Sequence, residues 1–152
     1  MKKKEKEIYD KIINYCNVKD IDIRNSSTWS AILEENLVTQ VWRGSVTKSW
    51  LYTMLHELGH LKIFNTRNYT QKNWKIIKNK SNYEYDIVSA TQYMREEIEA
   101  WDAGYEIANY LNIKIDRKDY DKYASKYLMS YMKNLSFEYE ERRRGRKRTK
   151  TS

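Results

Sequence analysis

Proline is absent from this chain of 152 residues, cysteine occurs once and histidine twice. A lone Cys16 excludes an internal disulfide, and a reducing, cytoplasmic compartment is expected. No stretch approaches the 18 consecutive apolar residues of a membrane-spanning helix. The start, MKKKEKEIYDKIINYC, is basic but lacks a long apolar run and a small-residue cleavage site, so no secretory signal is expected. With only two histidines, a metal site built on three is excluded. Lys, Asn, Ile and Tyr are abundant instead. That bias is one of an AT-rich genome and says nothing of mechanism.

The net charge of +8 is unevenly placed. Residues 142–150, RRRGRKRTK, carry seven positive charges and no negative one, and residues 2–7 add a net two, so the rest of the chain is close to neutral. The length suits one domain with one core. The expected organisation is an N-terminal amphipathic helix in residues 1–20, a main folded body over 21–141 and a disordered basic tail over 142–152.

Apolar spacing predicts a helix over 5–17, with Ile8, Ile12, Ile13 and Cys16 on one side. Residues 21–26 suit a short strand and turn. Residues 28–42, TWSAILEENLVTQVW, suit a hairpin broken at Glu34-Glu35-Asn36. Leu37–Trp42 is a candidate edge strand that could pair with an extended substrate. Ser45 or Thr47 can cap a helix over 48–64. Trp74, Ile76 and Ile77 suggest a short helix in a polar excursion. Ser89 and Gln92 fit a capping box opening a helix to about Leu111. Asp116 can cap a last helix through about Glu140, with Tyr120, Tyr123, Tyr127, Leu128, Tyr131 and Leu135 as its apolar stripe. The fold class is α+β, mostly helical, with a small antiparallel sheet before the 48–64 helix.

Both histidines fall in His56-Glu57-Leu58-Gly59-His60, an HExxH sequence. Residues four apart lie on one helix face, so both imidazoles can reach one metal ion at about 2.0–2.1 Å. Glu57 then sits beside the open side of the metal, placed to take a proton from water. Tyr52, Met54, Leu55, Leu58, Leu61, Ile63 and Phe64 surround the motif, so its helix reads as buried nearly all round. Burying two histidines and a glutamate without partners is costly, and a metal supplies the partner. Gly59 costs about 1 kcal/mol relative to Ala in mid-helix, which suggests a close approach by another backbone or a substrate strand.

One zinc ion in a hydrolase commonly takes three protein ligands. The third must come from a carboxylate or Cys16. Residues 95–104, REEIEAWDAG, concentrate the carboxylates. Helical phase puts Glu97 with Ala100, Gly104, Ala108 and Leu111, a face of small residues that lets helices approach. Glu96 lies on a neighbouring face and is the alternative. Glu99 points about 160–200° away from Glu97. Asp102 is a candidate outer acceptor for a histidine N–H.

HELGH followed on a later helix by Glu97-Ile98-Glu99-Ala100-Trp101-Asp102-Ala103-Gly104 resembles the zincin metallopeptidases of gluzincin type. It is most similar to the ImmA/IrrE-like group, whose third ligand is a Glu three residues before a small residue. The matching position here is Glu97, before Ala100. Residues 110–116 and the Tyr-rich helix resemble small metallopeptidase-like proteins of bacteriophages. The likeness spans roughly residues 28–135. It implies a zincin-like fold, zinc-dependent hydrolysis of a protein or peptide substrate, and a phage-encoded protein acting in the host cytoplasm. The chain departs from the ImmA/IrrE-like pattern at Trp101, where Asn is usual, and in lacking the apolar-Met-Pro stretch. Deformylases share HExxH but take a third ligand from Gly-Cys-Leu, whereas Cys16 lies in Tyr-Cys-Asn and reads as a buried thiol.

The basic tail opens a second function class. Arg142, Arg143, Arg144, Arg146, Lys147 and Arg148 could bind nucleic acid nonspecifically, making the chain a nucleic-acid-associated protein with a structural or vestigial metal site. A solvated tail or docking on an acidic protein are the other readings of the same residues.

Overall fold

The structure, a computed structural model, describes residues 1–66 and 87–150. The helix suggested at Trp74, Ile76 and Ile77 lies outside the described residues. The first helix, α1, is Lys3–Val18, and it buries Ile12, Tyr15 and Cys16. Its lysine-rich start is helical from Lys3, two residues ahead of the expected beginning at residue 5. Lys and Glu are good helix formers, and the Lys2 N–H donates to the Glu5 carboxylate at 3.1 Å, closing the first turn. Beyond the other end of α1, Asp20 and Asn36 both adopt left-handed backbone. The Asn36 amide donates to Lys19 O at 3.0 Å and Asp20 O at 2.8 Å, pinning the exit of the helix.

Three short strands follow: β1 (Asp22–Asn25), β2 (Ser30–Ile32) and β3 (Leu37–Gln40). The β2–β3 hairpin is antiparallel and breaks at a 3-10 turn over Leu33–Glu35, where the acidic pair predicts a break. The sheet is mixed, however, because β1 pairs with β3 in parallel. Residues 26–29 carry the chain past the end of β3, so β2 starts on its far side. The resulting order is β1-β3-β2, and β3 is the central strand. This corrects the expectation for Leu37–Trp42: both edges of β3 are already paired, so no substrate can add there.

Helix α2, Lys48–Thr66, carries the HExxH residues. Thr47 caps it, its hydroxyl oxygen accepting from the Trp50 N–H at 3.0 Å. Its buried residues run round the whole helix, from Trp50 and Tyr52 through Met54, Leu55 and Leu58 to Leu61 and Ile63. Buried Gln40 ties the sheet to α2, accepting from the Trp50 indole at 3.1 Å and donating to Asn25 at 3.0 Å.

Helix α3, Ile87–Tyr110, crosses α2. It is under way two residues before Ser89, which therefore lies in its first turn and not at its cap. Glycine makes the crossing close. A Cβ on Gly59 would collide with the carbonyl oxygen of Ala100, and one on Gly104 would stand 2.5 Å from Leu55 O. The sequence-level suggestion of a backbone passing Gly59 is met by α3 itself. Helix α4, Arg117–Lys150, opens with Asp116 accepting from the Asp119 N–H at 3.0 Å. It runs through the basic stretch, beyond the predicted end at Glu140. Arg, Lys and Glu favour helix, and no proline interrupts them. Among the described residues no helix is long and apolar enough to cross a membrane.

Candidate metal centre

The two histidines project from one face of α2, four residues apart. The α2–α3 approach at Gly59 and Gly104 brings Glu97 of α3 against them. His56 Nε2 lies 3.2 Å from His60 Nε2 and 3.1 Å from Glu97 Oε2, while His60 Nε2 lies 3.4 Å from Glu97 Oε1. His56 and Glu97 are buried, at 5% and 6% exposure, and His60 is partly so. Glu97 Oε2 has no aligned hydrogen-bond donor among the described residues despite its nearness to His56.

These distances fit a shared cation. Four ligands at about 2.0–2.1 Å in a tetrahedron stand about 3.3–3.4 Å from one another. The observed distances, 3.1–3.4 Å with each histidine nearest a different oxygen of Glu97, lie at or just below that length. Two imidazole nitrogens and a carboxylate oxygen converging in a buried space leave facing lone pairs unsatisfied, and a divalent ion satisfies all of them. His56, His60 and Glu97 can therefore hold a metal ion.

Comparison with family models, curated proteins and solved structures finds no match to this chain. The site's chemistry must be read from its own residues.

Of the carboxylates in 95–104, Glu97 joins the histidines. Glu96 is half-buried and acts on His60 only through its charge. Glu99 is not in the group. Asp102 faces away: its carboxylate accepts from Arg117 at 2.7 Å and is exposed, so it is no acceptor for a histidine. The Nδ1 of His56 is buried with no hydrogen-bond partner among the described residues. Cys16 sits in the core near α1, and burial pushes its thiol up to about 12. Of the basic-tail residues named from sequence, all lie in α4, and exposed Arg144 reaches Glu141 at 3.7 Å.

The electrostatics divide the two glutamates. Burial raises the Glu97 carboxyl, but the imidazoles of His56 and His60 more than offset it and hold it near 2, so Glu97 is an anion. Glu57, half-buried beside them, is shifted the other way. Desolvation raises its pKa, the two histidines lower it in part and Glu97 adds to the rise. For His60, burial lowers the pKa, yet its contact with Glu97 and the nearby charges of Glu57 and Glu96 raise it on balance.

Two residues of this site escaped the sequence reading. Trp101 stacks on His56, ring centroids 4.1 Å apart and planes 20° from parallel. It is one helical turn beyond Glu97, so helical phase could have found it. Behind it, Tyr120, Tyr123 and Tyr127 of α4 form an aromatic wall. The second is Tyr131, partly buried on the same helix. Burial, and then the charges of Glu97 and Glu57, push its hydroxyl up to about 12. Fourteen tyrosines gave no sequence signal that would single it out. A cavity of about 580 Å³ lies elsewhere, bounded by Tyr15, Asn36, Lys62 and Tyr110, and none of the three ligand candidates lines it.

Proposed function

We propose that this chain is a zinc-dependent metallopeptidase that hydrolyses peptide bonds of a protein target. The observation that carries the reading is the convergence of His56, His60 and Glu97, with Glu57 in the same electrostatic field. Two imidazoles and one carboxylate suit zinc and leave a coordination position open for chemistry. When bound, the ion supplies Lewis acidity to water and to the scissile carbonyl. Glu57 takes the proton of the attacking water and delivers it to the departing amine nitrogen. Its raised proton affinity suits both halves of that task. Tyr131 keeps its proton at neutral pH and donates it in a hydrogen bond to the developing oxyanion. Trp101 packs flat on His56 and fixes the plane of that ring.

An extended substrate adds to the sheet at β2, an edge strand among the described ones, which packs on α2. The test is a comparison of protein termini in cells expressing the wild type or Glu57→Gln. New termini should appear with the wild type alone. Their absence, with zinc-loaded protein, would reduce the centre to a binding role.

A further inference from the structure

We propose that the cavity bounded by the ends of α1, α2 and α3 binds a small organic ammonium ion with an apolar body. Its volume of about 580 Å³ falls in the range of ligand pockets, roughly 300–1,000 Å³. Tyr15, Asp20 and Ile21 line it from the exit of α1, and Lys62 and Asn65 from the last described turn of α2. Ile107 and Tyr110 line it from the last turn of α3. Three helices therefore present their C-terminal turns to one space. A helix C-terminus acts as about half a negative charge, so this space favours a cation.

The side chains leave the same balance. Lys62 is paired with Glu106 at 2.8 Å. Lys19 is the C-cap residue of α1, where a cation answers the dipole of its own helix. Exposed Asp20 forms no ion pair among the described residues. Tyr15 lines the cavity at only 8% exposure. Its hydroxyl makes no hydrogen bond among the described residues, yet it is not sealed from solvent. Buried polar groups normally have a partner, and an ammonium N–H supplies one. Burial raises the Tyr15 pKa, so at neutral pH its hydroxyl is uncharged and its lone pairs can accept. The Tyr110 ring stands 6.3 Å from the Tyr15 ring with planes at 67°, and a ring face holds a cation within about 6 Å. The Asn65 amide donates to Asn36 at 3.1 Å, which leaves its carbonyl oxygen as a further acceptor. Ile21 and Ile107, both buried, form the apolar wall. What stays unmatched is a carboxylate, a hydroxyl, an amide oxygen and two ring faces, all suited to an ammonium group. An anion would have to draw Lys62 from Glu106 or Lys19 from the end of α1.

The experiment titrates the full chain, by calorimetry, with three ligands that share one apolar body: phenethylammonium, neutral phenethyl alcohol and anionic phenylacetate. Phenethylammonium should bind about tenfold more tightly than the alcohol, because hydrogen bonds to a charged group are the stronger ones. Phenylacetate should bind more weakly than either. Tyr15→Phe keeps the ring and removes the hydroxyl, and it should weaken binding of the ammonium ion about tenfold. Tyr110→Ala, at an exposed residue, should weaken it about threefold. Asp20→Asn removes the charge while tolerating the left-handed backbone, and it too should cost about threefold. Urea midpoints close to wild type in the three variants would show that the site was lost and not the fold. Binding of the ammonium ion that is unchanged in both Tyr15→Phe and Tyr110→Ala would overturn the location. Equal binding of the alcohol, or tightest binding of phenylacetate, would overturn the choice of an ammonium ion. No binding of phenethylammonium up to about 10 mM would overturn the site altogether.

Discussion

His56 is constrained through both faces of its chemistry. Its Nε2 points at His60 and Glu97, and its ring lies flat on Trp101. A ring so held is oriented before any ion arrives, which lowers the entropy lost on coordination. Glu97 is the residue whose removal should tell most. Glu97→Ala should cost more zinc affinity than the roughly 10–100-fold typical of an outer partner, whereas Glu96→Ala should change it little. Zinc content and competition with a chelator measure both. Full occupancy in the Glu97 variant, with loss in the Glu96 variant, would move the assignment by one residue. Tyr131 is tested separately from the ligands. Tyr131→Phe removes one hydroxyl and no ligand, so zinc content should stay level while kcat falls by about 10²–10³. A normal kcat would remove Tyr131 from the mechanism.

At the scale of elements, the centre exists because α2 and α3 nearly touch. Gly59 and Gly104 meet carbonyl groups of the opposite helix where any Cβ would collide. On helix propensity alone Gly59→Ala should stabilise the protein by about 1 kcal/mol. Against the Ala100 carbonyl it should instead destabilise by about 1–3 kcal/mol, read as a lower urea midpoint, and it should weaken zinc binding as the helices part. Helix α4 is fastened to α2 by Asp119, which accepts from Tyr52 at 2.8 Å and pairs with Lys48 at 3.1 Å. The Tyr52 and Lys48 contacts lower the Asp119 pKa. A carboxyl depressed in the folded state adds stability above its unfolded pKa, about 3.9, and loses it as pH falls through the folded value. Asp119→Asn should therefore be less stable than wild type at neutral pH, and the gap should close below about pH 3.9. Denaturant midpoints over a pH series would show it, and a gap independent of pH would assign the contact to packing. Features of this kind divide by range. Thr47, Asp116 and the HExxH spacing act within one or two turns, so they were legible in the sequence. The parallel pairing of β1, the central place of β3, the Trp101–His56 stack and the nearness of Tyr131 join segments far apart in the chain, and local patterns carry no record of them.

The whole molecule separates packed chemistry from its excess of positive charge. The candidate metal centre lies where α2, α3 and the first half of α4 meet, while the far end of α4 carries seven cations and no anion, most of the net charge of +8. Composition alone predicted disorder for that end, because a chain that buries nothing has no packing to order it. Helix formation needs no burial when the residues are good helix formers and the helix is already nucleated by its packed first half. One helix thus serves two regimes. Its first turns are fixed by Tyr120, fully buried and donating to Trp101 O at 2.6 Å, and its last turns hold no apolar residue to bury. Deleting residues 142–152 should leave the urea midpoint, zinc content and peptide hydrolysis at wild-type values. Ending the chain before Tyr127 should act differently, removing Tyr127 from the wall behind Trp101 and Tyr131 from the neighbourhood of Glu57 and Glu97. The midpoint and hydrolysis should then fall together. A shorter deletion, of 142–152 alone, that lowered the midpoint as much would mean that the basic turns support the body, and that the division between packed and projecting halves is drawn in the wrong place.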